Sequence, residues 1–217
     1  MTPDNKQEKD TVNPKTVVIA IAGASGSGKS TLVRNIADRF ENSETMYFDD
    51  YRPQYENLTK DLGNLRKGNN IIYPVDNRRI NAGKLIILEE PTGRTRRGMS
   101  DKIDFLVYVD IPLEVSLARV LLRSILESGD KGINEFYNTI GPQFEPKFTE
   151  EPPTKLMHIL VWQLEMYLKQ HRQEYLVDHE NNLKEADLVV DGLKPVNQLT
   201  HEVIEKIRGI MARSFSS

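Results

Sequence analysis

The stretch Gly23-Ala24-Ser25-Gly26-Ser27-Gly28-Lys29-Ser30-Thr31 follows directly on the apolar run Val17-Val18-Ile19-Ala20-Ile21-Ala22. No other part of the chain restricts the fold so tightly. Glycine, four residues, then glycine-lysine-serine is the phosphate-binding loop pattern, set here between a strand-like run and a helical pattern. The glycines permit positive φ, so that several backbone N–H groups can converge on one anion without Cβ clashes. The helix opening near Lys29 adds its unpaired N–H groups and the positive end of its dipole. Lys29 supplies a point charge for the β and γ phosphates, and the Ser30 hydroxyl suits Mg²⁺. Residues Gly23 to Thr31 are therefore expected to hold a nucleoside triphosphate, ATP in the first instance, together with Mg²⁺.

The pattern downstream agrees with such a loop. Thr16–Ala22 reads as a strand buried on both faces. Lys29–Phe40 carries Leu32, Val33, Ile36 and Phe40 at helical spacing. Short strands are expected at Thr45–Phe48, Lys84–Leu88, Phe105–Val109 and Leu188–Val190. Between the first and second of these, Tyr51 to Arg79 reads as polar loop with one short helix allowed. Pro112 opens a helix over Leu113–Glu127, Thr154–Val177 forms another, and a terminal helix runs from Pro195 or Asn197 to about Arg213. Strands interleaved with helices predict an α/β domain with a mainly parallel, five-stranded sheet.

Length and charge bound the rest. The chain of 217 residues predicts one domain over 15–217, preceded by a disordered polar tail over 1–14. Lys131–Thr154 is rich in Gly, Pro and charge, so a lid or flap is expected at about 127–155. The net charge of −3 gives no general attraction for nucleic acid. There is no cysteine, which removes disulfides and thiolate chemistry, and no apolar run long enough to span a membrane. A cytoplasmic protein is expected, with assembly into a homo-oligomer left open.

In an open α/β sheet, ligands bind beyond the carboxyl ends of the strands. There the sequence places Asp49 and Asp50, then Glu89 and Glu90, then Arg94, Arg96 and Arg97. One carboxylate, Asp49 ahead of Asp50, can take a proton from a substrate hydroxyl. Glu89 or Glu90 can hold Mg²⁺ directly or through water. Arginines can neutralise a transferring phosphoryl group. Asp50, Tyr51, Arg52, Arg94 and Arg97 are candidate contacts to the acceptor. Arg119 and Arg123 share one helix face, from which Arg123 can reach the phosphates. His158, His171, His179 and His201 show no metal-ligand spacing, and Trp162, Met166 and Tyr167 read as packing.

Four segments in order resemble the uridine kinase and phosphoribulokinase group of P-loop kinases: IAIAGASGSGKSTLVRNIA, YFDDYR, LIILEEP, and FLVYVDIPLEVSLARVLLRSI with a later EADLVVDG. The resemblance implies a small-molecule kinase with a five-stranded parallel core. It implies that Asp49 matches the family's catalytic base and that Glu89/Glu90 covers its strand-end glutamate. Arg119 and Arg123 match arginines of the helix entering the lid, with Arg119 on the nucleotide, and Gly192 falls near the adenine. Two family features are missing. Tyr55–Tyr73 lacks the histidine-containing, aspartate-rich segment of uridine kinases, and the lid's arginine-glycine-arginine is Ser128-Gly129-Asp130.

The expectation is an ATP-dependent phosphotransferase acting on a hydroxyl of a small metabolite, uridine kinase-like. Two alternatives stay open. One is a kinase for another acceptor, such as a vitamin precursor, a sugar phosphate or a nucleoside monophosphate. The other is a non-catalytic nucleotide-dependent switch.

Overall fold

The structure, a computed structural model, describes residues 15–127, Ile133 and 154–214. The expected tail and most of the expected lid, Ser128-Gly129-Asp130 included, lie outside the described residues. The chain runs β1 (Val17–Ala22), α1 (Lys29–Ala37), β2 (Ser43–Tyr47), a 3₁₀ turn (Phe48–Tyr51) and α2 (Glu56–Arg66). It continues through β3 (Ile71–Ile72), β4 (Arg79–Ile80), β5 (Leu85–Glu89) and a second 3₁₀ turn (Gly93–Thr95) to β6 (Phe105–Asp110) and α3 (Leu113–Glu127). After Thr154 come α4 (Lys155–Met166), a π-helical turn (Tyr167–His171), α5 (Arg172–Glu185), β7 (Leu188–Asp191) and α6 (Val196–Ser214).

Five strands form one parallel sheet in the order β2-β5-β1-β6-β7. The central strand β1 is enclosed on both faces, as its unbroken apolar sequence requires. Its residues alternate between two cores. Val18, Ala20 and Ala22 pack with Leu58, Leu62 and Leu65 of α2. Ile19 and Ile21 face Leu32, Val33 and Ile36 of α1 and Leu199, Val203 and Ile207 of α6. The sheet thus has helices on both faces, and it is the parallel, five-stranded sheet expected.

The segment 51–80 holds the one short helix its pattern allowed, the eleven-residue α2, and a small antiparallel pair that was not expected, Ile71 with Ile80 and Ile72 with Arg79. The leucines of α2 lie at 58, 62 and 65, a spacing that buries all three on one side. The helix at Thr154–Val177 also runs further than its pattern suggested, to Glu185, through the π-helical turn.

Candidate active site

Sheet register sets the site. Glu89 pairs with Ile21 of β1 on one side and Tyr47 of β2 on the other. Two residues beyond these partners lie Gly23, where the phosphate loop starts, and Asp49, in the turn after β2. Three chain segments with different chemistry therefore leave the sheet at one level.

The loop has the geometry its glycines predict. Gly23 (φ 145°) and Gly26 (φ 79°) adopt positive φ, and a Cβ at either would come within 2.7 Å of a carbonyl oxygen, Val109 O or Ser116 O. Gly28 caps α1 in the left-handed region at φ 96°. The Ser116 hydroxyl donates to Ser25 O at 2.5 Å and Arg119 Nη1 to Gly26 O at 3.4 Å, so α3 braces the loop from outside. Arg119 also donates to Gly192 O at 3.3 Å from both terminal nitrogens, tying the segment after β7 to the same helix.

Lys29 is buried, with Nζ donating to Ala24 O at 2.9 Å and lying 4.0 Å from Glu89 Oε1. Burial lowers the Lys29 pKa; the charges of Glu89 and Asp49 oppose that shift in part, and Arg123 adds to it. A cavity of about 440 Å³ opens over the loop, lined by Ser25, Gly26, Gly28, Lys29, Ser30, Thr31, Arg34, Asp49, Glu89, Arg119 and Arg123.

A second cavity, about 380 Å³, lies on the other side of Lys29. Its walls include Phe48, Asp49, Arg52, Glu89, Thr92, Arg96 and Tyr108, with His171, Glu174, Tyr175, Asp178 and Asn182 from the π-helical turn and α5. Ser25, Lys29, Asp49 and Glu89 line both cavities. Phe48 stands between Tyr55, stacked at 4.3 Å, and the Arg96 guanidinium, 4.0 Å over its ring. Burial, and then the charge of Glu174, raise the Asp178 pKa.

The residues expected at the site divide. Gly23 to Gly26, Gly28 to Thr31, Asp49, Arg52, Glu89, Arg119 and Arg123 line one or both cavities, while Ser27 is buried beneath the loop and lines neither. Glu90 does not: its carboxylate is fully enclosed and bound by Arg96 Nε (2.8 Å) and Nη2 (2.9 Å) and by Thr92, so β5 turns Glu89 and Glu90 to opposite tasks. Tyr51 is buried, its hydroxyl on Asp61 Oδ2 at 3.0 Å. Asp50 receives the Tyr73 hydroxyl at 2.5 Å and lines neither cavity. Arg94 is tied to Asp187 Oδ2 (2.5 Å) and Glu185 O (2.6 Å), joining the turn after β5 to the start of β7. Arg97 is exposed, away from both cavities.

Arg34 and the α5 wall were not singled out from the sequence. The stripe 171, 174, 175, 178, 182 is helically spaced, which could have marked a face but not what that face meets. His179 packs behind this wall, its Nδ1 2.9 Å from the Tyr108 hydroxyl. Among the described residues no group of three or more His, Asp or Glu side chains converges as a metal site.

No family model matches the chain. Curated relatives do. A uridine kinase of Shewanella amazonensis is 27% identical over 168 residues, covering 59% of this chain and 79% of the relative. One of Pectobacterium carotovorum is 30% identical over the same length and the same shares. One of Haemophilus ducreyi is 27% identical over 172 residues. Among solved structures, shikimate kinase from Acinetobacter baumannii in complex with shikimate superposes with a TM-score of 0.42 at 14% identity, covering 89% of this chain and 94% of that one. A possible uridine kinase from Bacillus stearothermophilus gives 0.45 at 18%, covering 82% and 89%. With a phosphate loop seated at the strand ends of a five-stranded parallel sheet, and a 30% identical relative matched over 79% of its length, the chain belongs to the uridine kinase family and is a P-loop kinase.

Proposed function

We propose that the enzyme transfers the γ-phosphoryl group of MgATP to a hydroxyl of an uncharged, polyhydroxylated acceptor, a nucleoside being the first candidate. The observation that carries this reading is the junction. The phosphate cavity and the second cavity share Ser25, Lys29, Asp49 and Glu89, the elements an in-line transfer needs between donor and acceptor.

The loop fits a triphosphate. Its backbone can pack this closely against Val109 of β6 and Ser116 of α3 only because Gly23 and Gly26 lack a Cβ, its lysine is buried beneath it, and the enclosed Ser27 hydroxyl has no hydrogen-bond partner. Ser30 and Glu89 would hold Mg²⁺, leaving the other ligand positions to phosphate oxygens and water. MgATP, when bound, supplies the phosphoryl group and a leaving ADP. Lys29 and the loop amides hold the phosphates, and Arg119 holds the nucleotide. Asp49 accepts the acceptor's hydroxyl proton as its oxygen bonds to phosphorus and the bond to the bridging oxygen breaks. Arg123 stabilises the charge on the moving phosphoryl group.

The charge balance of the second cavity supports an uncharged acceptor. Asp49, Glu89, Glu174 and Asp178 all line it, while of its cations Lys29 sits beneath the phosphate loop beside Glu89, Arg52 is paired with Asp49 at 2.9 Å and Arg96 with Glu90. Arg94 and Arg97, the cations that would suit a phosphorylated acceptor, lie elsewhere. We read residues 15–217 as one kinase domain, with 127–155 connecting α3 to α4. No helix among the described residues is long and apolar enough to cross a membrane; we place the activity in the cytoplasm, where ATP is abundant.

The test is acceptor-stimulated ADP release over nucleosides, sugars, polyols and their phosphates. An uncharged acceptor should stimulate release well above its phosphorylated counterpart, and Asp49→Asn should lower that rate by about 10²-fold or more. Release that no acceptor accelerates, or an Asp49→Asn enzyme as active as wild type, overturns the reading.

A further inference from the structure

We propose that Tyr73 is a positioning residue for phosphoryl transfer: its hydroxyl grips residues 47 and 50 and so fixes the turn that aims Asp49 into the junction. The inference rests on the reading of Asp49 as proton acceptor.

Asp49 is poorly held by its own contacts. Its carboxylate meets Arg52 Nη2 at 2.9 Å, and the two side chains are 67% and 65% exposed. A surface pair so hydrated restrains little. Whatever fixes Asp49 must act through the backbone on either side of it, and the Tyr73 hydroxyl does this at both points. It accepts from Tyr47 N at 2.9 Å and donates to Asp50 Oδ2 at 2.5 Å. Residue 47 ends β2 and residue 50 lies in the 3₁₀ turn, so the Asp49 backbone is spanned by one side chain.

That side chain is itself immobilised. Tyr73 is 1% exposed and stands nearly perpendicular to the Tyr51 ring, centroids 5.9 Å apart. The Arg78 guanidinium covers its ring at 4.0 Å, and Arg78 Nη2 donates to Thr45 O at 2.5 Å, within β2. The backbone bond from Tyr73 N to Arg78 O at 2.8 Å closes the loop between β3 and β4. The small hairpin is thus a buttress, bonded to the strand and the turn that carry the proton acceptor. A phenol hydroxyl offers one donor and accepts readily, and both capacities are used.

The test has two arms. In the kinetic arm, MgATP and the strongest of uridine, cytidine, ribose and glycerol are the substrates. Tyr73→Phe should lower kcat about 10²-fold, the loss expected when a reacting group is misplaced by about 1 Å, while KM for MgATP changes less than about twofold. Asp50→Asn, which keeps an acceptor oxygen, should recover more activity than Asp50→Ala. In the second arm, the cysteine-free chain accepts a single nitroxide label at Asp49→Cys. Its spectrum should narrow when Tyr73→Phe is added. Wild-type enzyme that no acceptor stimulates overturns the kinase reading and with it Tyr73's role. Active enzyme in which Tyr73→Phe keeps kcat within about twofold, or shifts KM for MgATP and thermal midpoint as much as kcat, or leaves label mobility unchanged, overturns this inference alone.

Discussion

Glu90 and Arg96 form a two-point pair, Nε to Oε2 at 2.8 Å and Nη2 to Oε1 at 2.9 Å, in which the glutamate side chain is fully enclosed and the arginine side chain keeps 24% exposure. Thr92 completes the shell, donating to Oε1 from its amide at 3.1 Å and its hydroxyl at 3.0 Å. The same guanidinium caps Phe48, so one arginine joins the end of β5 to the turn after β2. Arg96, one of the cations lining the second cavity, is thus committed to Glu90 and Phe48.

Removing that cation leaves a buried carboxylate unpaired. Arg96→Ala should destabilise the protein by about 3 kcal/mol, the lower end for broken buried pairs because Arg96 is partly hydrated. Arg96→Lys restores charge but not the fork, and should fall between. The double variant Arg96→Ala, Glu90→Gln should be more stable than Arg96→Ala, since a neutral amide is less costly to enclose. Urea unfolding of the four proteins measures the series.

Lys29 should trade stability against function. Burial lowers its pKa, and at 4.0 Å its contact with Glu89 is not a hydrogen bond. Lys29→Met keeps the length and removes a poorly solvated charge. The variant should melt at or above the wild-type temperature, while acceptor-stimulated transfer drops about 10²–10³-fold, the loss seen when one preorganised electrostatic group is deleted. Paired melting curves and steady-state rates check both halves.

Much of this was legible in the sequence because it is local. The phosphate loop is contiguous, and the strand-to-helix context that gives it meaning adjoins it in the chain. Four of the five sheet strands follow from apolar runs of the length a parallel sheet encloses, whereas the edge strand β2, Ser43-Glu44-Thr45-Met46-Tyr47, is mostly polar. What was not legible depends on direction or on distance. Glu89 and Glu90 are equal candidates in the sequence, and only the extended chain at the end of β5 turns one to the cavity and the next to Arg96. Arg94 and Arg96 are two residues apart, yet one ties down β7 and the other walls the site. His171, Glu174 and Asp178 reach the site because α5 packs across the strand ends, a long-range contact that no local period reports. The segment 51–79 read as loop because its polar residues face solvent on a helix whose three leucines make only a thin stripe.

The two outer arginines of the cluster should separate by mutation. Arg94 binds Asp187, whose carboxylate also receives Leu106 N at 2.8 Å, so it supports the β6–β7 edge. Arg94→Ala should lower stability by about 1.5–3 kcal/mol, the usual contribution of a hydrogen bond to a charged group. Its kcat at a temperature where the variant is folded should match wild type. Arg97→Ala should change neither quantity. A loss of kcat in folded Arg97→Ala would place that side chain back at the acceptor.

Asp178 gives the pH dependence. Burial is the main cause of its raised pKa, the charge of Glu174 adds to it, and Arg96 opposes it. Between the unfolded value, about 3.9, and the raised native value, the folded protein binds more protons than the unfolded chain. Stability contributed by this group is therefore full at low pH and declines as pH rises through that window. Asp178→Asn removes the decline. The variant should be more stable than wild type near neutral pH, with the difference shrinking towards zero below about pH 4. Urea unfolding at intervals from pH 3.5 to 7 measures it, and a difference that stays flat across that range would show that Asp178 titrates alike in both states. The gain in stability should come with a higher KM for an uncharged acceptor and an unchanged KM for MgATP, because the carboxylate lines the second cavity and not the one over the phosphate loop.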